Sequence, residues 1–275
     1  MVDKDICCVI LSFGKRYEKI SKVAYNSFTV FHPNINTFLI TEENIKNYKC
    51  YKNDISFGIL KYMLGYEVMV KHGYKKVIIL GSDTITCDRL SEFIDNDEHD
   101  ILATLDYPYQ LCLKDFCTPD KETHLNADVV CFNNSDALLD IIKKSFSHDT
   151  YFEQGGLNEV VWKDKKYKTT IVDGPYASSN VIYNVRCKGN IIAKPYTKPW
   201  KPYTEKYYIK DNKLYSFDNK QIKVFHYCEG FGNLPKDQYL EIINLWITDF
   251  FNKETKEFFK NNCNAGTFFE EKYDY

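Results

Sequence analysis

Polar side chains that can transfer a proton or hold a ligand stand at the ends of several apolar stretches in this sequence. Ser82 and Asp83 follow the apolar residues 77–81, and Asp106 ends the next such stretch. The other polar residues at stretch ends are Asn126, Asp128, Glu153, Gln154 and His226. Carboxylates and amides can accept or bridge two hydrogen bonds, and carboxylates and imidazoles can also transfer protons. A single sheet would bring these residues to one edge as a polar site.

The spacing of apolar residues predicts the elements that would position such a site. Apolar residues recur at helical spacing in residues 17–31 and 55–71, and β-rich runs precede and separate these segments. The alternation predicts an α/β fold with a mainly parallel sheet flanked by helices. Ligands of such sheets bind beyond the carboxyl ends of the strands, where Ser82 and Asp83 are expected. Asp88 is expected to be the N-cap of the short helix that follows.

The last hundred residues have a different character. Residues 175–223 are rich in proline and tyrosine and have no regular period, which predicts loops and short strands that form a lid over the site. Residues 237–275 carry an apolar stripe at helical spacing and are expected to form a helical extension that packs on the preceding domain. The sequence thus predicts one large domain with a C-terminal tail.

Composition and charge exclude several classes of protein. The 275 residues carry a formal net charge of −2 and no long basic run, so nucleic acid is not the expected partner. No stretch reaches the roughly 18 apolar residues of a transmembrane helix, and no secretory signal is visible. We therefore expect no transmembrane segment and a cytoplasmic location.

The 10 cysteines are expected to be reduced thiols rather than a disulfide framework. None forms a C-x-x-C pair, and the chain is long for a disulfide scaffold. Cys7 and Cys8 are adjacent in a predicted strand, so their side chains should point to opposite faces of the sheet. We expect them to pack as small buried hydrophobic residues.

Four motifs, in order, resemble those of GT-A-fold glycosyltransferases, especially the family 8 enzymes. "VIILGSDTI" is similar to their D-x-D strand, "LNADVVCFNN" and "YFEQGGLN" to two central segments, and "VFHYCEGFGNLPK" to their C-terminal segment. The length of the chain and its sequence "GSDTITC" also resemble those of the small glycosyltransferases of large DNA viruses that infect algae. The resemblance implies a GT-A catalytic domain over residues 1–236, followed by the helical tail.

The resemblance also implies a metal site. Glycosyltransferases of this fold bind a UDP-sugar, and a divalent cation neutralises the charge on the diphosphate leaving group. Asp83 matches the second Asp of D-x-D, and His226 matches the metal-binding histidine. Gly81 stands where the first Asp would be, so we expect either a lower affinity for Mn²⁺ or Mg²⁺ or a coordination shell completed by Ser82 and water.

Further roles are implied for the donor and for catalysis. Donor binding is expected from Leu11, Ser12, Phe13, Tyr17, Lys61, Ser82, Asp83, Asp106, Asn126, Ala127, Gln154 and Lys236. Glu153 is the expected catalytic base, with Asp128 as the second candidate. The family's "D-Q-D" is "E-Q-G" here and its "N-A-G" is "N-A-D", which leaves the stereochemistry open. We favour inversion, because the viral relatives include inverting enzymes.

The sequence therefore predicts a metal-dependent glycosyltransferase that moves a sugar from a UDP-sugar to a hydroxyl of a glycan or glycoprotein, as in viral glycoprotein glycan synthesis. One alternative is a domain that binds a nucleotide sugar without turnover, which the glycine at position 81 favours. Another is a sugar-1-phosphate nucleotidyltransferase, although "SFGKRYEK" has one glycine where a glycine-rich phosphate loop would be needed. A nicotinamide dehydrogenase is disfavoured because G-x-G-x-x-G is lacking.

Overall fold

The computed structural model describes residues 3–52, 54–105, 124–148, 152–172, 181–182, 185–186, 207–211, 213–216 and 219–226. The helices are α1 (Lys15–Phe31), α2 (Phe57–His72), α3 (Ser91–Ile94), α4 (Ser135–Ser145) and α5 (Phe152–Asn158), which continues as a π-helical segment, Glu159–Asp164. A short 3₁₀ turn spans Ile45–Asn47. The strands of the main sheet are β1 (Asp3–Leu11), β2 (Ile35–Ile40), β3 (Lys76–Leu80), β5 (Ile101–Leu105), β6 (Leu125–Phe132) and β7 (Thr169–Ile171). The remaining strands are β4 (Thr84–Thr86), β8 (Val181–Ile182), β9 (Val185–Arg186), β10 (Tyr207–Lys210), β11 (Lys213–Ser216), β12 (Gln221–Ile222) and β13 (Val224–His226).

The predicted α/β architecture is confirmed. Six strands form the central sheet in the order β2-β1-β3-β6-β5-β7, and all are parallel except β6, which is antiparallel to both of its neighbours. Because β6 runs the other way, its first residues lie at the same edge of the sheet as the last residues of β3. This reversal brings residues near the start of β6 next to Ser82 and Asp83.

Helices cover both faces of this sheet. Helices α2, α4 and α5 pack on one face with Cys7, Val9 and Ile79, while α1 and α3 pack on the other with Cys8 and Ile78. Because helices cover both faces of the sheet, β3 and β5 are buried at every position. Their residues do not alternate between buried and exposed. The predicted orientation of Cys7 and Cys8 to opposite faces is confirmed, and both are free, buried thiols.

A small second sheet joins two distant parts of the chain. Strand β13 pairs antiparallel with β4 and parallel with β9, and His226 stands opposite Thr84 in this register. Strand β4 begins immediately after Asp83, and the sequence pattern did not predict it. The pairing therefore carries the histidine near the end of the described chain to the acid after β3.

The region predicted to be a lid contains strands where the structure describes it. Strands β8, β10, β11 and β12 form a four-stranded sheet in residues 175–223. Most of that segment, and the whole predicted tail at 237–275, lie outside the described residues. No helix in the described part of the chain is long and apolar enough to cross a membrane.

Asp88 is not a helix N-cap, so that prediction was wrong. Helix α3 begins three residues later, with Leu90 as its N-cap and no side-chain capping bond. The carboxylate of Asp88 instead accepts hydrogen bonds from the side chains of Gln221 and Lys223. Asp88 therefore ties the segment after β4 to the chain that leads into β13.

Candidate active site

A cavity of about 220 Å³ opens where β1, β3 and β6 meet the first turns of α2 and α5. Among the residues that line it, those predicted from the sequence are Leu11, Phe13, Tyr17, Lys61, Ser82, Asp83, Asp128 and Glu153. Phe57, Gly58 and Gly81 complete the lining. Phe57 and Gly58 were missed, although their place just after the helix N-cap Ser56 could have indicated them. The cavity thus collects most of the predicted site at one edge of the sheet.

The contact between Asp83 and His226 lies beside this cavity. Nε2 of His226 is 3.0 Å from Oδ1 of Asp83, and the imidazole is almost fully buried. The hydroxyl of Thr84 donates to the carbonyl of Gly81 over 2.8 Å, which fixes the turn that carries Asp83. The two residues that the sequence assigned to a metal are therefore in contact.

Lys61 stands between two further carboxylates. Its ammonium contacts Oδ1 of Asp128 and lies 3.8 Å from Oε1 of Glu153. Burial opposes the charge on Lys61, but the carboxylates of Asp128 and Glu153 outweigh burial and raise the lysine pKa. Burial also raises the pKa of Glu153, while Lys61 acts in the opposite direction. The lysine is therefore charged and holds the two acids together.

Asn158 fixes the helix that carries Glu153. Its side-chain oxygen accepts from the backbone N–H of Leu125 over 2.9 Å, and its amide nitrogen donates to the carbonyls of Leu125 and Gln154. Leu125 begins β6, so this fully buried side chain joins α5 to the strand of Asp128. Sequence reasoning had given Asn158 no role, although it ends the "YFEQGGLN" motif.

Aromatic side chains form one wall of the cavity. The rings of Phe13 and Phe57 are 4.4 Å apart between centroids, and Tyr51 lies 6.4 Å from Phe13. Phe57 is 54% exposed, which is high for so large an apolar side chain. Gly14, with φ of 89°, makes the turn between Phe13 and α1, a backbone conformation that favours glycine. The exposed ring face is suited to stacking on a planar ligand.

Four predicted donor residues lie behind the cavity wall. Ser12 accepts a hydrogen bond from Ser21, and the carbonyl of Ala127 accepts one from Tyr62. The side chain of Gln154 pairs with His124 over 2.7 Å. Asn126 accepts from the backbone N–H of Asp128, and its own amide nitrogen has no hydrogen-bond partner among the described residues. The remaining two predicted donor residues, Asp106 and Lys236, lie outside the described residues.

The donor atoms beside the cavity suit a divalent cation. Carboxylate oxygen is the ligand that Mg²⁺ and Mn²⁺ prefer, and Mn²⁺ also accepts imidazole nitrogen. Neighbouring ligands of an octahedral Mg²⁺ are about 3 Å apart, because each lies about 2.1 Å from the ion. The atoms of His226 and Asp83 have this separation, 3.0 Å. Over the described ranges, no group of three His, Cys, Asp or Glu side chains already has the spacing of a metal site.

A larger cavity of about 610 Å³ lies between α2 and α4, away from these residues. Its lining is mostly apolar, with Met63, Tyr66 and Ile142 among its residues. The carboxylate of Glu67, also in this lining, accepts two backbone N–H bonds from Lys49 and the following residue. Because the carboxylate of Glu67 already accepts these two backbone hydrogen bonds, this cavity is not the candidate active site.

Comparisons with known proteins found similar structures, but no match to a protein family or to a curated sequence. No family model matches the chain, and no curated protein matches it in sequence. A glycosyltransferase involved in glycosylation of the major capsid of PBCV-1 is 14% identical with a TM-score of 0.43, over 67% of this chain and 86% of that one.

Two further structures are similar at the same level. The galactosyltransferase LgtC, in complex with donor and acceptor sugar analogues, is 17% identical with a TM-score of 0.46, over 94% of this chain and 95% of that one. The glycosyltransferase GlyE of Streptococcus pneumoniae TIGR4 is 17% identical with a TM-score of 0.41, over 63% and 47%. Because each TM-score is below 0.5, these likenesses say nothing about the reaction of this chain.

Proposed function

We propose that this chain is a glycosyltransferase that moves a sugar from a UDP-sugar to a hydroxyl of a glycan or glycoprotein, with Mn²⁺ or Mg²⁺ as cofactor. The observation that carries the proposal is the meeting of Asp83, His226, Asp128, Glu153 and Lys61 around one cavity. A nucleotide-sugar transferase needs cationic groups for a diphosphate and a carboxylate for an acceptor hydroxyl. These five side chains supply both kinds of group.

Asp83 and His226 would hold the cation. When bound there, the cation would neutralise charge on the diphosphate that leaves as its bond to the anomeric carbon breaks. Lys61 adds a second positive charge on the same side of the cavity, and its contacts with Asp128 and Glu153 keep it in a fixed position. The described cavity is smaller than the roughly 300–1,000 Å³ of most small-molecule pockets, so its walls enclose only part of a nucleotide sugar.

Glu153 is the proposed catalytic base. Its raised pKa brings the carboxyl group closer to neutral pH, where a general base is most effective. In the proposed reaction the carboxylate takes the proton of the acceptor hydroxyl as the oxygen attacks the anomeric carbon, and the bond to the diphosphate breaks. Such a step inverts the anomeric centre. Asp128, which shares Lys61 with Glu153, is the second candidate for this role.

The aromatic wall would receive the base of the donor. Phe57 is more than half exposed and lines the cavity, as do Tyr17 and Leu11. Base stacking on an aromatic side chain contributes about 1–3 kcal/mol per base. A cytoplasmic location and a role in viral glycoprotein glycan synthesis remain predictions from the sequence.

A second candidate function is donor binding without turnover. The observation that favours it is Gly81, which leaves the loop after β3 with one carboxylate, Asp83. Such a domain would bind UDP or a UDP-sugar and release no product.

UDP release from a panel of UDP-sugars would test the proposal. We expect release from one sugar that requires Mn²⁺, that chelation abolishes, and that Asp83→Asn lowers by about 100-fold or more, since a bound cation contributes several kcal/mol to such a step. Asp95→Asn is the matched control, because Asp95 is an exposed acid at the C-terminus of α3 that pairs with Arg89. Turnover that survives both chelation and Asp83→Asn would contradict the metal-dependent mechanism. UDP binding with no release from any sugar would support the binding domain.

A further inference from the structure

Gly81 and Asp128 lie side by side where β3 and β6 pair. Leu80 stands opposite Val129, and beyond this pair the N–H of Gly81 donates to the carbonyl of Asp128 over 2.7 Å. A Cβ atom built on Gly81 would lie 3.0 Å from the Cβ of Asp128 and 2.9 Å from Oδ1 of Asp83. The side chain of Asp128 therefore fills the space that a side chain at position 81 would need.

The two oxygens of Asp128 face different partners. Oδ1 contacts the ammonium of Lys61, whereas Oδ2 lies 3.9 Å from Nε2 of His226. The same nitrogen is 3.0 Å from Asp83. The lysine thus anchors one oxygen, and the other is directed to the imidazole that Asp83 contacts. Carboxylate oxygens of both Asp83 and Asp128 therefore lie within 4 Å of the same imidazole nitrogen.

Three carboxylates meet in this cluster. The carboxylates of Asp83, Asp128 and Glu153 line the same cavity as the ammonium of Lys61. Like charges close together in a partly buried site repel strongly, because little water screens them. A divalent cation between Asp83, Asp128 and His226 would reduce this repulsion.

From this geometry we propose that Asp128 is the third protein ligand of the cation held by Asp83 and His226. The assignment rests on the proposed function, which requires that cation. Strand β6 then supplies, from the neighbouring strand, the carboxylate that position 81 lacks. Glu153 remains the carboxylate available to take the proton of the acceptor, and Lys61 fixes the orientation of both acids.

Direct measurement of Mn²⁺ binding would test this assignment without any turnover. The electron paramagnetic resonance signal of free Mn²⁺ is titrated with protein in the presence of UDP. We expect Asp83→Asn and Asp128→Asn each to weaken Mn²⁺ binding by about 10-fold or more, since each removes an anionic ligand of the cation. Asp95→Asn is the control, because Asp95 is an exposed acid that pairs with Arg89, and its Mn²⁺ affinity should equal that of the wild type. Wild-type affinity in Asp128→Asn alongside weak binding in Asp83→Asn would overturn the proposal.

A reciprocal exchange tests the position of the carboxylate as well as its presence. Asp128→Gly should lose Mn²⁺ affinity, and adding Gly81→Asp to it should recover most of the loss, because the carboxylate returns to the same space from β3. Circular dichroism and thermal melting would verify that both variants fold. Failure of the folded double variant to bind Mn²⁺ better than Asp128→Gly alone would count against the proposal.

The proposed transferase activity and the proposed role of Asp128 as a metal ligand can be tested separately. Mn²⁺ binding that needs both Asp83 and Asp128, with no UDP-sugar turned over, would contradict the transferase and support the ligand assignment. UDP-sugar turnover that chelation leaves unchanged, in a protein that binds no Mn²⁺, would overturn the ligand assignment and leave a transferase in place.

Discussion

The carboxylate of Glu153 fills the space beside Gly58 in the first turn of α2. A Cβ atom built on Gly58 would overlap this carboxylate, whose Oε2 is the nearest atom. Ser56 caps the same helix by accepting a bond from the N–H of Ile59, and Lys61 follows one turn later. Glu153 is thus held near the positive end of a 16-residue helix as well as near an ammonium.

We expect Gly58→Ala to lower the rate of sugar transfer with little loss of stability. Alanine is preferred to glycine in a helix by up to about 1 kcal/mol, but its methyl group would displace the Glu153 carboxylate. The measurements are kcat for transfer and the free energy of unfolding in urea. Gly65→Ala is the matched control on the same helix, since its methyl group meets Ile79 in the core. A Gly58→Ala variant with wild-type kcat would show that the position of Glu153 does not matter.

We expect Phe57→Ala to weaken UDP binding by about 10-fold, the equivalent of a lost stacking contact of 1–3 kcal/mol. The ring is more than half exposed and packs on Phe13, so its removal should cost little stability. Isothermal titration calorimetry with UDP measures the change. Phe146→Ala removes an equally exposed phenylalanine just after α4 and should leave UDP affinity unchanged. Equal UDP affinities in Phe57→Ala and Phe146→Ala would show that the aromatic wall does not bind the donor.

His32 should make the stability of the fold depend on pH. Nδ1 lies 2.9 Å from the carbonyl of Phe28, and Nε2 accepts the N–H of Leu90 over 3.0 Å, an arrangement that requires a neutral ring. Burial lowers the pKa of His32 to about 4, against an ordinary value of 6.5. Below pH 6.5 the unfolded chain therefore binds a proton that the folded chain excludes. The contribution to stability is complete above pH 6.5 and is lost as pH falls toward 4.

The expected loss between pH 6.5 and 4 is about 3 kcal/mol, from the shift in pKa. Urea unfolding at several pH values would measure it. His32→Gln should lose this contribution to the pH dependence, whereas His72→Gln, at an exposed position, should keep it. Identical pH dependence in wild type and His32→Gln would refute the role of His32.

The sequence predicted the elements of the fold better than their pairing. The apolar periodicity of α1 and α2 and the continuous apolar runs of β3 and β5 are local signals, because the pattern of a helix or of a strand covered on both faces repeats over a few residues. The position of Asp83 after β3 followed from the same signals. The direction of β6 within the sheet did not, since an antiparallel strand between parallel neighbours has no distinct local pattern.

The amino-acid sequence by itself determined the α/β class and the polar groups at the strand ends, because both depend on residue types at short spacing. Only the tertiary structure decided which of these groups meet. Pairing of β4 with β13 joins Asp83 to His226, and the reversal of β6 puts Asp128 in the space that Gly81 leaves free. Such contacts depend on the packing of segments far apart in the chain, and no local pattern encodes that packing.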